Sequence, residues 1–250
     1  PDYMGAAPKF DGASKAYAAA GELSLAHEMS LQCSKAYAGY ESFSSAGNIM
    51  QTAAKISKDM GAHEQSVKDL VGAADFWGQA GDMLRVAQIY VNIAESEGAS
   101  EDESAEYLNE AVEILMPAGS SDADLKRCDV RGLEVLKKLL KFDLTKNRLA
   151  RAMEDATLLI RASEAFGQDS LMKKALATVT VLQLTNKDVI AAENTYIQEH
   201  LSKSDYASSK EAEIVDRLIT AFRSTDEGQL QEVQRHPNLF YLDREVKDLV

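Results

Sequence analysis

Histidine is the residue most often used in acid–base catalysis and metal binding, and the chain has four, at His27, His63, His200 and His236. These histidines are far apart in the sequence. The stretch HEMSL at 27–31 begins like a zinc-protease motif, but Leu31 stands where that motif has its second histidine. A helix with this sequence lacks the paired histidines that would clamp a metal ion.

Other catalytic signatures are also absent from the sequence. GQAGD at 78–82 lacks the lysine and the length of a phosphate-binding loop, and a helix turn explains it better. No GxSxG motif occurs, and neither cysteine, Cys33 or Cys128, stands beside a histidine. Two cysteines without metal-ligand spacing predict reduced thiols packed inside a cytosolic protein. The sequence therefore predicts no enzyme, no cofactor and no small-molecule substrate.

Charge is the first positive indication of function. The net charge of −13 argues against general nucleic-acid binding, which needs basic faces to replace phosphate counterions. Residues 126–151 nevertheless hold nine basic residues against three acidic ones, a local charge of +6. Such a band is typical either of the solvated face of amphipathic helices or of a surface that binds an acidic partner.

The elements that would position this band repeat along the chain. SKAYA stands at 14–18 and again at 34–38, 20 residues apart, and Gly21, Gly61 and Gly81 follow apolar stretches with spacings of 40 and 20. Glycine just past a helix suits a left-handed turn. Twenty residues therefore predict one helix and its turn, and forty predict one helical hairpin.

Helical periodicity supports this interpretation. Val67, Leu70, Val71, Ala74 and Trp77 fall on one predicted helix face, and no strand alternation is present in the sequence. Alanines beside aromatic residues indicate the close helix packing of tetratricopeptide-type hairpins. No apolar run approaches the ~20 residues that a membrane-spanning helix needs.

The predicted fold is therefore all-α. Residues 1–166 are expected to form a tetratricopeptide-like right-handed superhelix of antiparallel hairpins, with Pro8 in a first helical turn. From Gly167 onward the helical segments become shorter and less regular. Residues 167–250 are expected to form a C-terminal helical bundle that caps the array, since a solenoid needs a closed end.

Three stretches resemble the soluble NSF attachment proteins. They are PDYMGAAPKFDGASKAYAAAGELSLAHEMSLQCSKAY at 1–37, NKDVIAAENTYIQE at 186–199 and SSKEAEIVDRLITAFRSTDEGQLQEVQRHPNLFYLDREVKDL at 208–249. The last resembles gamma-type members, whose Pro-Leu-Phe-Lys-Tyr-Met-Asp turn is matched by Pro237, Leu239, Phe240, Leu242 and Asp243. Residues 118–165 match least well.

The resemblance implies an adaptor in vesicle trafficking and membrane fusion. Such proteins bind the assembled four-helix SNARE bundle with basic residues and recruit the hexameric ATPase NSF, which pulls the bundle apart. They are cytoplasmic and associate peripherally with the cytosolic face of membranes. The chain begins at what would be the second helix, so the family's apolar membrane loop is expected to be absent or truncated.

Residues for both partners follow from the basic band and the resemblance together. The SNARE bundle is long and acidic, and the residues expected to face it are Lys137, Lys138, Lys141, Arg148 and Arg151. The resemblance implies ATPase contacts near the chain end, where the candidates are Asp243, Glu245, Asp248 and Leu249. Gamma-type relatives continue beyond this point, so the stimulating role of the family's leucine is not carried over to Leu249.

Two alternatives remain open at this stage. A generic tetratricopeptide-like scaffold would bind a short peptide in its groove and would not distinguish assembled from separate helices. An enzyme built from distant residues would instead show a deep pocket with converging acids and histidines.

Overall fold

The computed structural model describes residues 2–117, 119, 121–125, 130–203, 205–224 and 227–249. All regular secondary structure in these residues is helical, with no β-strand among them. The prediction of an all-α fold of tetratricopeptide-like helical hairpins is therefore confirmed. The predictions for Lys126, Arg127 and Cys128 lie outside the described residues.

The chain divides into two compact units, Pro1–Pro117 and Ala118–Val250, here called unit 1 and unit 2. Each helix of unit 1 packs against the next one in the chain. The helices are α1 Tyr3–Ala19, α2 Leu23–Ala38, α3 Phe43–Asp59, α4 His63–Gln79, α5 Met83–Ala94 and α6 Glu101–Leu115. Short turns between packed neighbours make successive helices antiparallel.

The turns of unit 1 share one backbone conformation. Gly21, Glu41, Gly61 and Gly81 have φ of 80°, 63°, 74° and 77°, so a left-handed residue recurs every 20 positions. Glycine adopts this conformation without steric cost, whereas Glu41 carries a Cβ that disfavours it. The three glycines were predicted as turn residues. Glu41 occupies the remaining turn, and no sequence signal marks it as a left-handed residue.

Small residues let these helices pack closely. Ala26, Ala46 and Ala73 are completely buried. Buried serines join neighbouring helices: the Ser14 hydroxyl donates to the Ala26 carbonyl at 2.9 Å, and the Ser34 hydroxyl donates to the Ala46 carbonyl at 3.2 Å. A hydroxyl that reaches a backbone carbonyl in this way avoids the cost of burying an unpaired polar group.

The predicted apolar face of α4 is confirmed. Val67, Ala74 and Trp77 are buried in one cluster with residues of α5, while Leu70 and Val71 pack against it. Pro8, by contrast, does not lie in a first helical turn. Because Asp2 caps α1, Pro8 lies farther inside that helix.

Unit 2 contains more numerous and shorter elements. They are α7 Asp122–Leu125, α8 Arg131–Thr145, α9 Leu149–Ala165, α10 Asp169–Thr185, α11 Val189–Gln198, α12 Lys210–Ser224, α13 Glu227–Gln234 and α14 Arg244–Lys247. Short 3₁₀ turns occur at His200–Ser202, Tyr206–Ser208 and Pro237–Tyr241. Left-handed residues again recur every 20 positions, at Asn147, Gly167 and Lys187.

The later helices of unit 2 form a bundle. Consecutive packing of α8, α9, α10 and α11 is followed by α12, which packs on both α10 and α11 and also contacts α13. The compact units divide between Pro117 and Ala118, whereas the sequence-predicted boundary at 166/167 falls between α9 and α10, which pack together. That predicted boundary stays a prediction about domain organisation.

Candidate functional site

Unit 1 contains a polar cluster that no sequence motif predicts. Asp69 is only 2% exposed, and its carboxylate accepts hydrogen bonds from Ser57 Oγ at 2.7 Å and from Gln65 Nε2 at 2.9 Å. His27 Nε2 lies 2.8 Å from the same carboxylate. The histidine and the serine both contact Asp69 Oδ2, so the serine is bonded to the acid and not to the histidine.

This arrangement differs from a nucleophile–base pair, in which the serine hydroxyl must be bonded to the base. It instead joins α2, α3 and α4 through one buried carboxylate. Its members stand 42 and 12 residues apart, and no motif with such spacing marks them in the sequence.

Other candidate catalytic groups of the sequence are also placed. Cys33 is buried, its thiol donates to the Ala7 carbonyl at 3.3 Å, and burial raises its pKa to about 11. A thiol with this pKa stays protonated and unreactive at neutral pH. Within the part of the chain that the structure describes, no three histidine, cysteine or acidic side chains are grouped so as to hold a metal ion.

In its described residues 130–151, the basic band forms α8 and the start of α9. Leu133, Leu136 and Leu140 are buried at helical spacing and fix the orientation of α8. The opposite face carries Lys137, Lys138 and Lys141, and Lys141 is four residues from Lys137 and three from Lys138, so it lies beside both. Lys137 also contacts Glu134 on this face, with Nζ 3.2 Å from Oε2.

A cleft of about 400 Å³ opens beside this face, and we call it the α8 cleft. On α8 it is lined by Glu134, Lys137, Lys138 and Lys141. The C-terminal segment also lines it with Asp243, Arg244, Glu245 and Val246, and Leu159 of α9 and Thr178 of α10 contribute to the lining. Three of the five predicted SNARE-binding residues are thus brought together in one cavity.

The two sets of predicted site residues meet in this cleft. Lys141 Nζ lies 3.2 Å from Glu245 Oε1, and Lys174 Nζ of α10 lies 2.9 Å from Asp243 Oδ1. Predicted SNARE-binding and ATPase-contacting side chains are therefore partners in the folded chain. Sequence reasoning placed them in separate sites and missed Lys174.

Buried apolar side chains hold the C-terminal segment in place. Leu242 and Val246 are 3% and 1% exposed, and α14 packs against α8. Asp248 is exposed at the C-terminal end of α14, and Leu249 is half-buried. Neither Asp248 nor Leu249 is among the residues that line the α8 cleft.

The two predicted arginines lie elsewhere, near the α8–α9 turn. Arg148 precedes α9; its guanidinium nitrogen Nη1 is 3.9 Å from Asp143 Oδ1, and the guanidinium lies 5.4 Å from the centre of the Phe142 ring. Arg151 is exposed. Neither arginine lines the α8 cleft, so the five predicted residues do not form one continuous face.

Both arginines act on a pair of neighbouring acids, the buried Asp143 and the half-buried Asp155. Burial raises the pKa of Asp143, and it raises the pKa of Asp155 to about 8, with the neighbouring Asp143 charge as the second cause. The positive charges of Arg148 and Arg151 act in the opposite direction on Asp143, and Arg151 does so on Asp155. The pair therefore holds one proton at neutral pH.

A second cavity of about 510 Å³ lies between α9, α10 and α11. Its lining includes Leu176, Gln183, Glu199 and His200. His200 is buried, its Nδ1 lies 3.1 Å from Thr180 Oγ1, and burial lowers its pKa to about 4. This histidine is therefore neutral at physiological pH and is already bonded within the fold.

The structure thus defines a class, an α-helical hairpin protein whose lysine-lined cleft is also lined by its own C-terminal segment, in which Asp243 and Glu245 pair with lysines. In the described residues no helix has both the length and the apolar character needed to cross a membrane. The family model described as "Soluble NSF attachment protein, SNAP" matches residues 2–239. The chain belongs to the SNAP family.

Two further comparisons add little. A search of curated proteins finds no significant match. Among solved structures, the chain is similar to "Crystal Structure of Rap Protein Complexed with Competence and Sporulation Factor", with 13% sequence identity and a TM-score of 0.41. The likeness covers 92% of this chain and 66% of that chain, and no functional conclusion follows from it.

Proposed function

We propose that this protein is a non-enzymatic adaptor that binds assembled SNARE bundles and recruits the ATPase NSF for their disassembly. The observation that carries the proposal is the family match over residues 2–239. The gamma-type subtype is proposed from the C-terminal turn around Pro237, Leu239 and Phe240. As an adaptor of this kind, it acts in the cytoplasm and associates peripherally with the cytosolic face of membranes.

The α8 cleft is the proposed SNARE-binding surface. Lys137, Lys138 and Lys141 place three positive charges within two helical turns of a chain whose net charge is −13, and Glu134 and Glu245 offset part of that charge. A clustered positive surface on an acidic protein attracts an acidic partner and orients it. Exposed charge pairs contribute only ~0–1 kcal/mol each, so one adaptor binds weakly and several act together on one bundle.

Arg148 and Arg151 are assigned a second role under this proposal. Because Arg148 is within 3.9 Å of Asp143, part of its charge offsets the buried acids instead of facing a partner. Their replacement is expected to affect folding as well as binding. The lysines of the α8 cleft therefore provide the cleaner test.

The test is co-sedimentation with an assembled SNARE complex, with and without NSF and ATP. The Lys137→Glu/Lys138→Glu variant should bind the complex about tenfold more weakly at low salt, since it replaces two attractions by repulsions. The matched control is Lys146→Glu/Lys187→Glu, which makes the same charge change at exposed positions outside the cleft. Equal binding by the two variants would overturn the assignment of the α8 cleft.

A scaffold that binds a peptide is the second candidate. The cavity of about 510 Å³ between α9 and α11 favours it, because this cavity combines apolar side chains with Gln183 and Thr195. Peptide binding in such a cavity predicts equal affinity for isolated segments and for the assembled bundle. A preference for the assembled bundle supports the adaptor instead.

A further inference from the structure

The α8 cleft is already partly occupied by the chain's own C-terminal segment. Glu245 contacts Lys141 and Asp243 contacts Lys174, so two acids lie where an acidic partner would place its own carboxylates. Lys141 is a residue that the proposed partner needs. An external carboxylate and Glu245 therefore compete for the same ammonium group.

The contacts that keep this segment in the α8 cleft are weak enough for a partner to replace them. α14 is only four residues long, and a helix this short is not stable on its own. Its docking depends on Val246 and Leu242 and on two ion pairs whose lysines remain 67% and 36% exposed. Exposed ion pairs are screened by water and salt, so local undocking costs much less than unfolding of unit 2.

We propose that residues 242–249 are an internal occupant of the α8 cleft, and that an acidic helical partner binds there by displacing them. The displaced segment then presents Asp243 and Glu245 to solvent, free of Lys174 and Lys141. Partner binding at the cleft therefore exposes these two acids. By the same coupling, anything that binds the exposed acids strengthens partner binding at the cleft. The identity of the partner as a SNARE bundle rests on the proposed function, whereas the internal docking does not.

The test uses the full chain with Asp243→Asn/Glu245→Gln, which removes both acids and keeps Val246 and Leu242. The control, Asp169→Asn/Asp205→Asn, removes the same charge at exposed positions outside both the cleft and residues 242–249. Two probes are titrated at low salt: the assembled SNARE bundle and poly-glutamate. Hydrogen exchange of residues 242–249 is measured with and without each probe, and circular dichroism confirms that each variant is folded.

The expected result is that Asp243→Asn/Glu245→Gln binds both probes about three- to tenfold more tightly than the control does. Exchange at 242–249 should be faster in this variant, and it should also accelerate in the unmodified protein when a probe binds. The charge swap Lys141→Glu/Glu245→Lys should restore slow exchange relative to Lys141→Glu alone. This swap separates loss of docking from loss of folding.

Each other outcome is informative. If the SNARE bundle binds both double variants equally, while Lys137→Glu/Lys138→Glu abolishes binding, the adaptor function stands and the internal occupant is refuted. If the bundle binds no variant but poly-glutamate binds the acid-free variant more tightly, the internal occupant stands and the SNARE partner is refuted. Unchanged exchange at 242–249 on binding of either probe also refutes displacement.

Discussion

Unit 1 and unit 2 share the 20-residue spacing of left-handed turns, yet they differ in what they bury. In unit 1 the buried carboxylate of Asp69 is satisfied by side chains of three helices. In unit 2 the buried Asp143 and the half-buried Asp155 share a proton, and the buried His200 is neutral. Unit 1 gives its buried carboxylate hydrogen-bond partners, whereas unit 2 contains buried titratable groups whose pKa values are shifted.

Buried side-chain atoms without a hydrogen-bond partner show the same contrast. Among the described residues, unit 1 has Trp77 Nε1 alone, and unit 2 has the other five. These five atoms belong to Asp143, Asp155, Ser163, Gln183 and Tyr206. Unit 2 also contains the α8 cleft and its docked segment. Four of these five atoms lie on α8, α9 and α10, whose turns keep the 20-residue spacing, so the two units differ in what they bury and not in the spacing of these turns.

The largest expected effect is in unit 1. Replacing Asp69 by Ala leaves Ser57, Gln65 and His27 without their common acceptor, and buried donors without acceptors are costly. The free energy of unfolding should fall by about 3 kcal/mol. Urea denaturation followed by fluorescence of Trp77, the chain's single tryptophan, measures it.

The control for this prediction is Asp75→Ala, at an exposed position of the same helix. If both substitutions lower stability equally, the buried cluster does not hold unit 1 together. The contrast between satisfied and strained polar groups would then lose its main example.

The second prediction concerns pH and unit 2. The folded-state pKa of Asp155 is raised from 3.8 to about 8, so between these pH values the native state holds a proton that the unfolded state has lost. Stability should therefore fall as pH rises through this window. Asp155→Asn, which mimics the protonated acid, should abolish this loss.

Urea denaturation followed by circular dichroism at pH 5 and pH 9 tests this. The variant should be more stable than the unmodified protein at pH 9 and nearly equal to it at pH 5. The control Asp169→Asn, at an exposed position of α10, should keep the original pH dependence. Equal stability of the unmodified protein at pH 5 and pH 9 would mean that both acids are already ionised in the native state.

The third prediction tests the turns that both units share. Glu41 adopts φ 63° where the equivalent turns have glycine, so Glu41→Gly should stabilise unit 1 by about 1 kcal/mol. Gly61→Ala should destabilise it by a similar amount, because φ is 74° there although no atom would clash with the added Cβ. Trp77 fluorescence during urea denaturation measures both changes.

Glu41→Ala serves as the control, since alanine keeps the Cβ that causes the strain. It should leave stability nearly unchanged. Equal stabilisation by alanine and glycine would place the effect in the side chain of Glu41 and not in its backbone.

The smallest effect is expected for surface ion pairs of unit 2. Lys203 Nζ lies 2.7 Å from Glu164 Oε2, but both side chains are substantially exposed. Lys203→Ala should change the free energy of unfolding by about 0.5 kcal/mol or less. Thermal denaturation at low and high salt measures this change, and a loss above about 1 kcal/mol would show that surface pairs also stabilise the irregular unit.

The helical array was predictable from sequence because its signals are local. Glycine at 21, 61 and 81 and the apolar stripe ending at Trp77 each need only a short window of residues. Glu41, Asn147 and Lys187 were missed because residues other than glycine have no strong sequence signal for a left-handed turn. Pro8 was misplaced because the start of α1 depends on the Asp2 cap.

The candidate site was only half predictable. Spacing placed Lys137, Lys138 and Lys141 on one face of a helix, and the structure has them there. Their pairing with the chain end joins Lys141 to Glu245 across more than a hundred residues, and charge alone does not select one partner among 40 acids. The position of Arg148 depends on the burial of Asp143, which only packing reveals.

The left-handed residue every 20 positions sets a rule for changing the length of this chain. Removing one helix with its turn preserves the 20-residue spacing. Every helix after the deletion then runs in the opposite direction relative to the helices before it, so its contacts with them change. Removing 40 residues, one complete hairpin, restores the direction. Natural or engineered relatives of different length should therefore differ by whole hairpins and not by single helices.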